Sequence, residues 1–108
     1  MMAFIQIMIT TETKEQAQGI ARHLVDTKLA ACVQITGAIE STYRWKGKVE
    51  NAREYACLMK TREDLFPKVE AAIKKLHSYE TPEIIAVPII QGSTEYLEWL
   101  DESLVKKL

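Results

Sequence analysis

The sequence contains little cysteine and no excess of charge of either sign. Its only cysteines, Cys32 and Cys57, are too few for a disulfide framework or a paired zinc-ligand motif. This scarcity fits a reducing compartment best, so we expect a cytoplasmic protein. Fourteen basic and fifteen acidic side chains leave a net charge of −1, and no run of Lys and Arg with interleaved aromatic residues could track a phosphate backbone. We therefore expect no nucleic-acid partner.

The sequence also lacks a hydrophobic run of membrane-spanning length. The opening segment MMAFIQIMIT is apolar, but it is much shorter than the roughly 20 residues that a membrane helix needs. It has neither a basic leader nor a small-residue cleavage site, so we interpret it as a strand and expect no membrane partner. A chain of 108 residues has the usual size of one domain, and we expect residues 1–108 to form one.

Hydrophobic periodicity predicts an α+β protein with four strands and three helices. The predicted strands span residues 4–10, 31–45, 48–61 and 83–90. The predicted helices begin near Thr13, Asp64 and Ser93, whose side chains can cap a helix N-terminus. The order β-α-β-β-α-β with a C-terminal helix matches the ferredoxin-like plan. In that plan the fourth strand lies at a sheet edge, which agrees with Pro88, because proline cannot donate a ladder hydrogen bond.

The second and third predicted strands form a long hairpin around a turn at Lys46-Gly47. This turn places Trp45 opposite Lys48. It also places Glu40 opposite Arg53, an opposite-charge pair that supports the register. The remaining expected pairs are Ile35 with Leu58, Cys32 with Thr61 and Cys57 with Thr36. The two cysteines then lie roughly 13 Å apart along the strand, which is too far for a disulfide.

The predicted hairpin is longer than the domain that carries it. A domain of this length has a diameter of roughly 35 Å, whereas a strand of about fifteen residues spans roughly 50 Å. The hairpin must therefore extend beyond the domain or bend, and Gly37 marks a position for a bulge. The apolar side chains Ile39, Tyr43 and Trp45 would be exposed on the ribbon, so we expect them to form a subunit interface. The alternative is a strand broken at Gly37, with Trp45 folded onto its own core.

Five segments together resemble the CutA divalent-cation-tolerance family. They are LAACVQI at 29–35, YRWKGKVE at 43–50, LMKTRE at 58–63, HSYETPEIIAVPI at 77–89 and YLEWL at 96–100. The resemblance implies a ferredoxin-like homotrimer assembled through the hairpins, similar in architecture to nitrogen-regulatory signalling trimers. It also implies a link to tolerance of copper and other divalent cations, although the family has no settled biochemical activity. Ser78 departs from the family, because many relatives have Pro there.

Copper(I) favours thiolate and thioether ligands, and copper(II) favours imidazole. The candidate donors are Cys32, Cys57, His23, His77, Met1 and Met2. We expect Cys32 and His77 to be the metal ligands, and because they are predicted at opposite ends of the sheet, they could share a metal ion only between subunits. The alternatives are that His77 contacts the last carbonyls of the second helix and that the cysteines are small, half-buried hydrophobes.

Lys60 is predicted on the strand face of Val33 and Ile35, where its burial requires a charged partner. We expect Lys60, Tyr79 and Glu80 to line a cleft between subunits that accepts a divalent cation or a small anion. An alternative is an enzyme that acts on a small metabolite in this cleft, with Arg62 and Glu54 as further candidates and Lys60, Tyr79 and Glu80 as acid-base or anion-orienting groups. No nucleophile elbow, Gly-rich phosphate loop or paired catalytic carboxylate motif supports an enzyme. A structural docking module is a further alternative.

Overall fold

The computed structural model describes residues 3–106, so Met1 and Met2, two of the candidate metal donors, lie outside the described residues. The elements are β1 (Phe4–Thr11), α1 (Lys14–Asp26), β2 (Cys32–Trp45), β3 (Lys48–Arg62), a short 3-10 turn (Glu63–Leu65), α2 (Phe66–Leu76), β4 (Ile84–Ile89) and α3 (Thr94–Glu102). This order confirms the predicted ferredoxin-like α+β arrangement. No helix within residues 3–106 has the length and apolar character needed to cross a membrane.

The four strands form one antiparallel sheet in the order β2-β3-β1-β4. β1 is therefore central and β4 lies at an edge, as predicted. Pro88 pairs with Ile5 on this edge strand, a position where a missing ladder donor is tolerated. α1 and α2 cover one face of the sheet, where Ile5, Ile7 and Ile9 of β1 are buried.

Two of the three helices begin directly after the predicted capping residues. The Thr13 hydroxyl accepts a hydrogen bond from the Gln16 backbone N–H at 3.1 Å, and the Ser93 hydroxyl accepts one from the Tyr96 N–H at 3.3 Å. The predicted start of α2 near Asp64 is two residues early, because Glu63–Leu65 first forms a 3-10 turn. Pro67 then lies in the first turn of α2, where its missing N–H is harmless.

The hairpin register is confirmed at its tip and wrong at its base. Trp45 pairs with Lys48 and Glu40 pairs with Arg53, but the register shifts between Gly37 and Ile39. The actual base pairs are Ile35 with Cys57, Cys32 with Lys60 and Thr36 with Ala56, each one residue from the expected partner. The bulge inserts one extra residue in β2, which the predicted pairs did not include. Both cysteines are free.

The bulge also changes which sheet face the hairpin residues occupy. Before it, Ile35 pairs with Cys57 on the helix-covered face, whereas after it Ile39 pairs with Glu54 on the opposite face. Tyr43 and Trp45 follow Ile39 at alternate positions and lie on the same helix-free face. A Cβ at Gly37 would collide with the ring of Tyr55, so only glycine fits at this point.

The hairpin tip extends beyond the body of the domain, as predicted. β1 pairs with β3 only as far as Tyr55, so residues 48–54 of β3 pair with β2 alone. The longest dimension of the molecule is 44 Å, against 25 and 21 Å for the other two. Trp45 and Tyr43 remain 39% and 43% exposed, so the alternative in which Trp45 folds onto its own core is wrong.

Candidate functional site

A cavity of about 750 Å³ lies between the hairpin tip and the loop of residues 78–83. We call it the tip cavity. Ser41, Thr42, Tyr43 and Trp45 of β2 form one wall and the loop after α2 forms the other, with Thr10 and Glu54 also lining the cavity. The bulge at Gly37 is needed for this arrangement, because it places the aromatic side chains of the tip on the helix-free face.

The lining combines three kinds of side chain. The carboxylates are Glu54, Glu80 and Glu83, and the aromatic rings are Tyr43, Trp45 and Tyr79. Hydroxyl groups come from Thr10 and from serine and threonine residues of both walls. A cavity of this volume falls within the range typical of sites for small organic molecules.

His77 and Tyr79 connect the loop to the sheet. The backbone N–H of His77 donates to the Ile73 carbonyl and ends α2. The imidazole Nε2 lies 2.6 Å from the Thr10 carbonyl oxygen, and Nδ1 lies 3.1 Å from the Tyr79 N–H. Because the carbonyl can only accept and the amide can only donate, Nε2 carries the proton and Nδ1 accepts. The predicted contact of His77 with the last carbonyls of α2 is therefore made by its backbone N–H, whereas its ring contacts β1.

The Tyr79 hydroxyl donates a hydrogen bond to Glu54 Oε2 at 2.8 Å. Burial raises the pKa of Tyr79 above its ordinary value, and the adjacent Glu54 carboxylate raises this pKa further because it disfavours a second negative charge. Tyr79 is consequently a protonated hydrogen-bond donor at neutral pH. This property suits it to positioning Glu54 or a ligand and does not suit it to removing a proton.

Ser78 also has a partner. Its hydroxyl donates to the side-chain carbonyl of Gln16 on α1 at 3.3 Å. The loop therefore has a contact to the helix layer at Ser78.

The predicted cleft residues are only partly brought together within one chain. Tyr79 and Glu80 line the tip cavity, whereas Lys60 does not. Lys60 lies six residues from Glu54 along β3, a separation of roughly 20 Å, and its ammonium donates to the Gln34 side-chain carbonyl. Lys60 also shares a face with Cys32 and Gln34 instead of Val33 and Ile35, because of the same one-residue shift.

The candidate metal donors do not converge. Cys32 pairs with Lys60 at one end of β3, whereas His77 contacts Thr10, which lies at the level of Ala56. His23 is exposed on α1. Burial raises the pKa of the Cys57 thiol to about 11, which keeps it protonated. Within residues 3–106 no group of three or more His, Cys, Asp or Glu side chains could hold a metal ion, so the donors in this part of the chain do not form a metal centre.

Arg62, a candidate for an enzymatic site, has a structural role. Its side chain is 3% exposed and contacts Asp64 at 2.9 Å and Asp101 at 3.3 Å. It also donates to the Val105 carbonyl at 2.8 Å. These contacts fasten the C-terminal segment to the end of β3.

Reasoning from sequence assigned Tyr43 and Trp45 to an interface and did not place them beside Tyr79. Glu83 and Thr10 were not predicted as site residues at all. One feature of the sequence could have indicated this site. Residues 77–83 are a polar loop that follows the second predicted helix, and the ferredoxin-like plan would have allowed the overhanging hairpin to be placed beside this loop.

The element order and the long hairpin define a ferredoxin-like protein with an extended β-ribbon. The chain belongs to the CutA1 family, described as "CutA1 divalent ion tolerance protein", whose profile matches residues 5–103.

Proteins of several organisms are similar to this chain in sequence or fold. A protein of Thermus thermophilus named divalent-cation tolerance protein CutA is 45% identical over 97 residues, which are 90% of this chain and 94% of the relative. The protein of the same name from Archaeoglobus fulgidus is 46% identical over 98 residues, or 91% of this chain and 95% of the relative. The crystal structure of CutA1 from Oryza sativa matches with a TM-score of 0.94 at 40% identity, and the match covers 97% of this chain and 96% of that one.

Proposed function

We propose that the protein is a cytoplasmic homotrimer that acts in divalent-cation tolerance and binds a divalent cation or a small ligand in clefts between its subunits. The observation that carries this proposal is the hairpin tip, an isolated two-stranded ribbon with exposed aromatic rings. Such a ribbon is only marginally stable by itself and is stabilised when another subunit covers it. The family's link to divalent-cation tolerance gives the proposed role.

The proposed interface consists of Ile39, Tyr43 and Trp45, which share the helix-free face of the hairpin. A second uncovered apolar surface lies on the edge strand β4, where Ile85 and Val87 are each 51% exposed. Each subunit thus has both an apolar ribbon and an apolar edge, and association would remove both from water. The tip cavity, which Tyr43 and Trp45 line, would then lie beside the neighbouring subunit.

In this proposal the cleft includes Tyr79 and Glu80 of one subunit, and Lys60 is supplied by a neighbour. Cys32 and His77 would likewise come from different subunits to bind copper or another divalent cation. His77 can bind a metal ion only after one of its two ring hydrogen bonds breaks. Ligand occupancy of these clefts is the proposed basis of a signalling role.

The assembly is tested by light scattering coupled to size exclusion over a dilution series. We expect the mass of three chains for the wild type and a smaller mass for a Tyr43→Ser, Trp45→Ser double variant. Val49→Ser is the matched control, because Val49 is 61% exposed and pairs with Arg44 on the other face of the same ribbon. A wild type that remains a single chain at all concentrations would contradict the assembly.

Metal binding is tested by calorimetric titration of metal-free protein with Cu²⁺ and, separately, Zn²⁺. We expect a heat of binding in the wild type that a Cys32→Ala, His77→Ala double variant loses. Equal heats in the two proteins would exclude these residues as ligands. His23→Ala is the matched control, since His23 is exposed on α1.

The second candidate function is an enzyme acting on a small metabolite in the same cleft, with Lys60, Tyr79 and Glu80 as its polar groups. The volume of the tip cavity favours it, because the space suits a small organic molecule. A thermal-shift screen of metabolites in metal-free buffer tests this alternative. Stabilisation by a metabolite that is then converted would favour the enzyme, and the absence of conversion would favour the binding protein.

A further inference from the structure

His77 determines where the loop of residues 78–83 leaves the helix layer. Its backbone N–H donates to the Ile73 carbonyl at the end of α2, and the residue is only 9% exposed. Its ring contacts two other segments, because Nε2–H donates to the Thr10 carbonyl of β1 and Nδ1 accepts from the Tyr79 N–H. A neutral histidine has one ring donor and one ring acceptor, and both are used here. The ring therefore ties the start of the loop to the sheet.

Three contacts hold Tyr79, and two of them come from His77. One is the hydrogen bond from the Tyr79 N–H to Nδ1, and the second is between the two rings, whose centres lie 4.7 Å apart at an interplanar angle of 48°. The third is the 2.8 Å bond from the Tyr79 hydroxyl to Glu54. A tyrosine side chain has few rotatable bonds, so fixing its backbone and its ring also fixes the position of its hydroxyl.

Glu54 lies where the hairpin tip meets the body. β1 pairs with β3 only as far as Tyr55, so Glu54 is the first residue of β3 beyond this pairing, and it pairs with Ile39 directly after the bulge. Glu54 is 6% exposed, and the Tyr79 hydroxyl is its hydrogen-bond partner among residues 3–106. Burial of a carboxylate is costly unless a donor compensates it. The loop therefore supplies the donor that the base of the tip requires.

The rest of the loop offers little else that would place Tyr79. The Ser78 hydroxyl reaches Gln16 at 3.3 Å, but both of these residues lie at the surface of the domain. Glu80 is exposed, and its backbone N–H has no hydrogen-bond partner in the part of the chain that the structure describes. The position of Tyr79 consequently depends on the side chain two residues before it.

We propose that His77 is the positioning residue of the tip cavity. It holds Tyr79 where the hydroxyl reaches Glu54, so that Thr10, His77, Tyr79 and Glu54 form one hydrogen-bonded strap from β1 to the base of the hairpin tip. Without the contacts of His77, the loop wall of the cavity separates from Glu54 and the cavity opens on that side. This inference rests on the proposed function, in which Tyr79 faces the ligand, and it names the residue that keeps Tyr79 in place.

A double-mutant cycle tests the strap by urea denaturation of metal-free protein at one protein concentration. Tyr79→Phe removes the hydroxyl but keeps a ring beside residue 77, and it should raise the unfolding equilibrium constant of the wild type about fivefold. His77→Gln can still donate to Thr10 but has no acceptor at the position of Nδ1. In that background Tyr79→Phe should raise the constant by less than about twofold. Equal effects in the two backgrounds would contradict the positioning role.

His77→Asn is the rescue variant, because it restores the acceptor and not the donor. An asparagine side-chain oxygen readily accepts from the backbone N–H two residues later, which here is that of Tyr79. The shorter side chain does not reach Thr10. In the His77→Asn background Tyr79→Phe should again raise the unfolding constant, about threefold or more. If asparagine behaves as glutamine does, His77 acts through its general contribution to stability and the inference is wrong.

Amide hydrogen exchange gives a second readout that needs no variant of His77. After correction for intrinsic rates, the Tyr79 N–H of the wild type should exchange about fivefold or more slowly than the Glu80 N–H, because only the former has an acceptor. Ser78→Ala is the matched control, since it removes a different hydrogen bond of the same loop, and the Tyr79 rate should stay within about twofold. Equal protection of the two amides would overturn the inference even if the His77 variants do not fold.

Light scattering and metal titration of the same samples separate this failure from failure of the proposed function. A cycle without coupling in a protein that assembles and binds metal contradicts the positioning role only. Coupling between His77 and Tyr79 in a protein that remains a single chain and gives no heat with metal supports the strap and contradicts the proposed function only.

Discussion

The body of the sheet and the tip of the hairpin are parts of the same two strands, but they differ in how they are buried. In the body, residues of β3 pair with both β1 and β2, and Cys57 and Met59 are fully buried beneath the helices. In the tip, residues 48–54 pair only with β2, and Val49 is 61% exposed. The body therefore has its own apolar core, whereas the tip depends for its stability on whatever covers it.

One bulge separates the two regions. On the body side of Gly37 the apolar residues of β2 face the helices, and on the tip side they face away from them. The aromatic rings of the tip consequently cannot join the core of their own chain. They become available to line the tip cavity or to contact a neighbour.

The largest expected effect is on a core residue of the body. Ile7 is 0% exposed at the centre of the sheet, and Ile7→Ala should lower the free energy of unfolding by about 3–5 kcal/mol through lost burial and the cavity left behind. Val49→Ala, the matched change in the tip, should alter it by less than about 0.5 kcal/mol. Urea denaturation at one protein concentration measures both. Similar losses in the two variants would mean that the tip is as well packed as the body.

The next effect concerns charged side chains in the two regions. Arg62 is buried in the body with two aspartate partners, and Arg62→Met should cost about 3 kcal/mol because it leaves both partners and the Val105 carbonyl without this donor. Arg53 faces Glu40 across the exposed tip, so Arg53→Met should cost less than about 1 kcal/mol. Urea denaturation of the wild type and the two variants measures these losses. A larger loss in Arg53→Met would show that the charges of the tip are buried in solution, unlike their exposed state in the single chain.

The junction between the regions can be tested through glycine. Gly37→Ala should cost about 2 kcal/mol, because the added methyl group collides with the ring of Tyr55 and one of the two must move. Gly19→Ala is the control, since Gly19 lies on the exposed side of α1 with nothing within 4 Å of the added atom. It should raise stability by about 0.5–1 kcal/mol, because alanine favours a helix over glycine. If both substitutions raised the free energy of unfolding, the close approach of Tyr55 would not restrict residue 37 to glycine.

Local patterns were sufficient to predict the fold of the body. Thr13 and Ser93 marked two helix starts because their hydroxyls satisfy backbone N–H groups, and Pro88 marked an edge strand because it lacks a donor. These are effects of single residues on their own backbone. They can therefore be read without knowledge of distant contacts.

The tip cavity could be predicted only in part, because it depends on contacts between distant segments. The sequence predicted a bulge at Gly37, but not the close approach of Gly37 to the ring of Tyr55, eighteen residues later in the sequence, which leaves no room for a Cβ there. The approach of Tyr79 to Glu54 depends in turn on how His77 binds β1. Neither contact leaves a periodic signal in the sequence. The sequence therefore predicted Tyr79 and Glu80 as cleft residues and Tyr43 and Trp45 as interface residues, but it did not show that the two pairs lie side by side.

The smallest expected effect is on the hydrogen bond that joins the loop to the base of the tip. Tyr79→Phe removes the donor to Glu54 and should cost about 1 kcal/mol at neutral pH. The pKa of Tyr79 is raised in the folded protein above its ordinary value of 10, so the folded state holds the phenol proton more tightly than the unfolded state does. The stability from this group is therefore fully present below about pH 10 and declines as the pH rises above it.

Denaturation of the wild type and Tyr79→Phe at about pH 7, 9 and 11 measures this dependence. The difference in unfolding free energy should be the same at the two lower values and should shrink at the highest. Both proteins contain Cys57, whose pKa is also raised, to about 11, so its contribution cancels in the comparison. A difference that stays constant to the highest pH would mean that the phenol proton is held no more tightly in the folded protein, and that the loop and the tip are joined by packing instead of by the bond to Glu54.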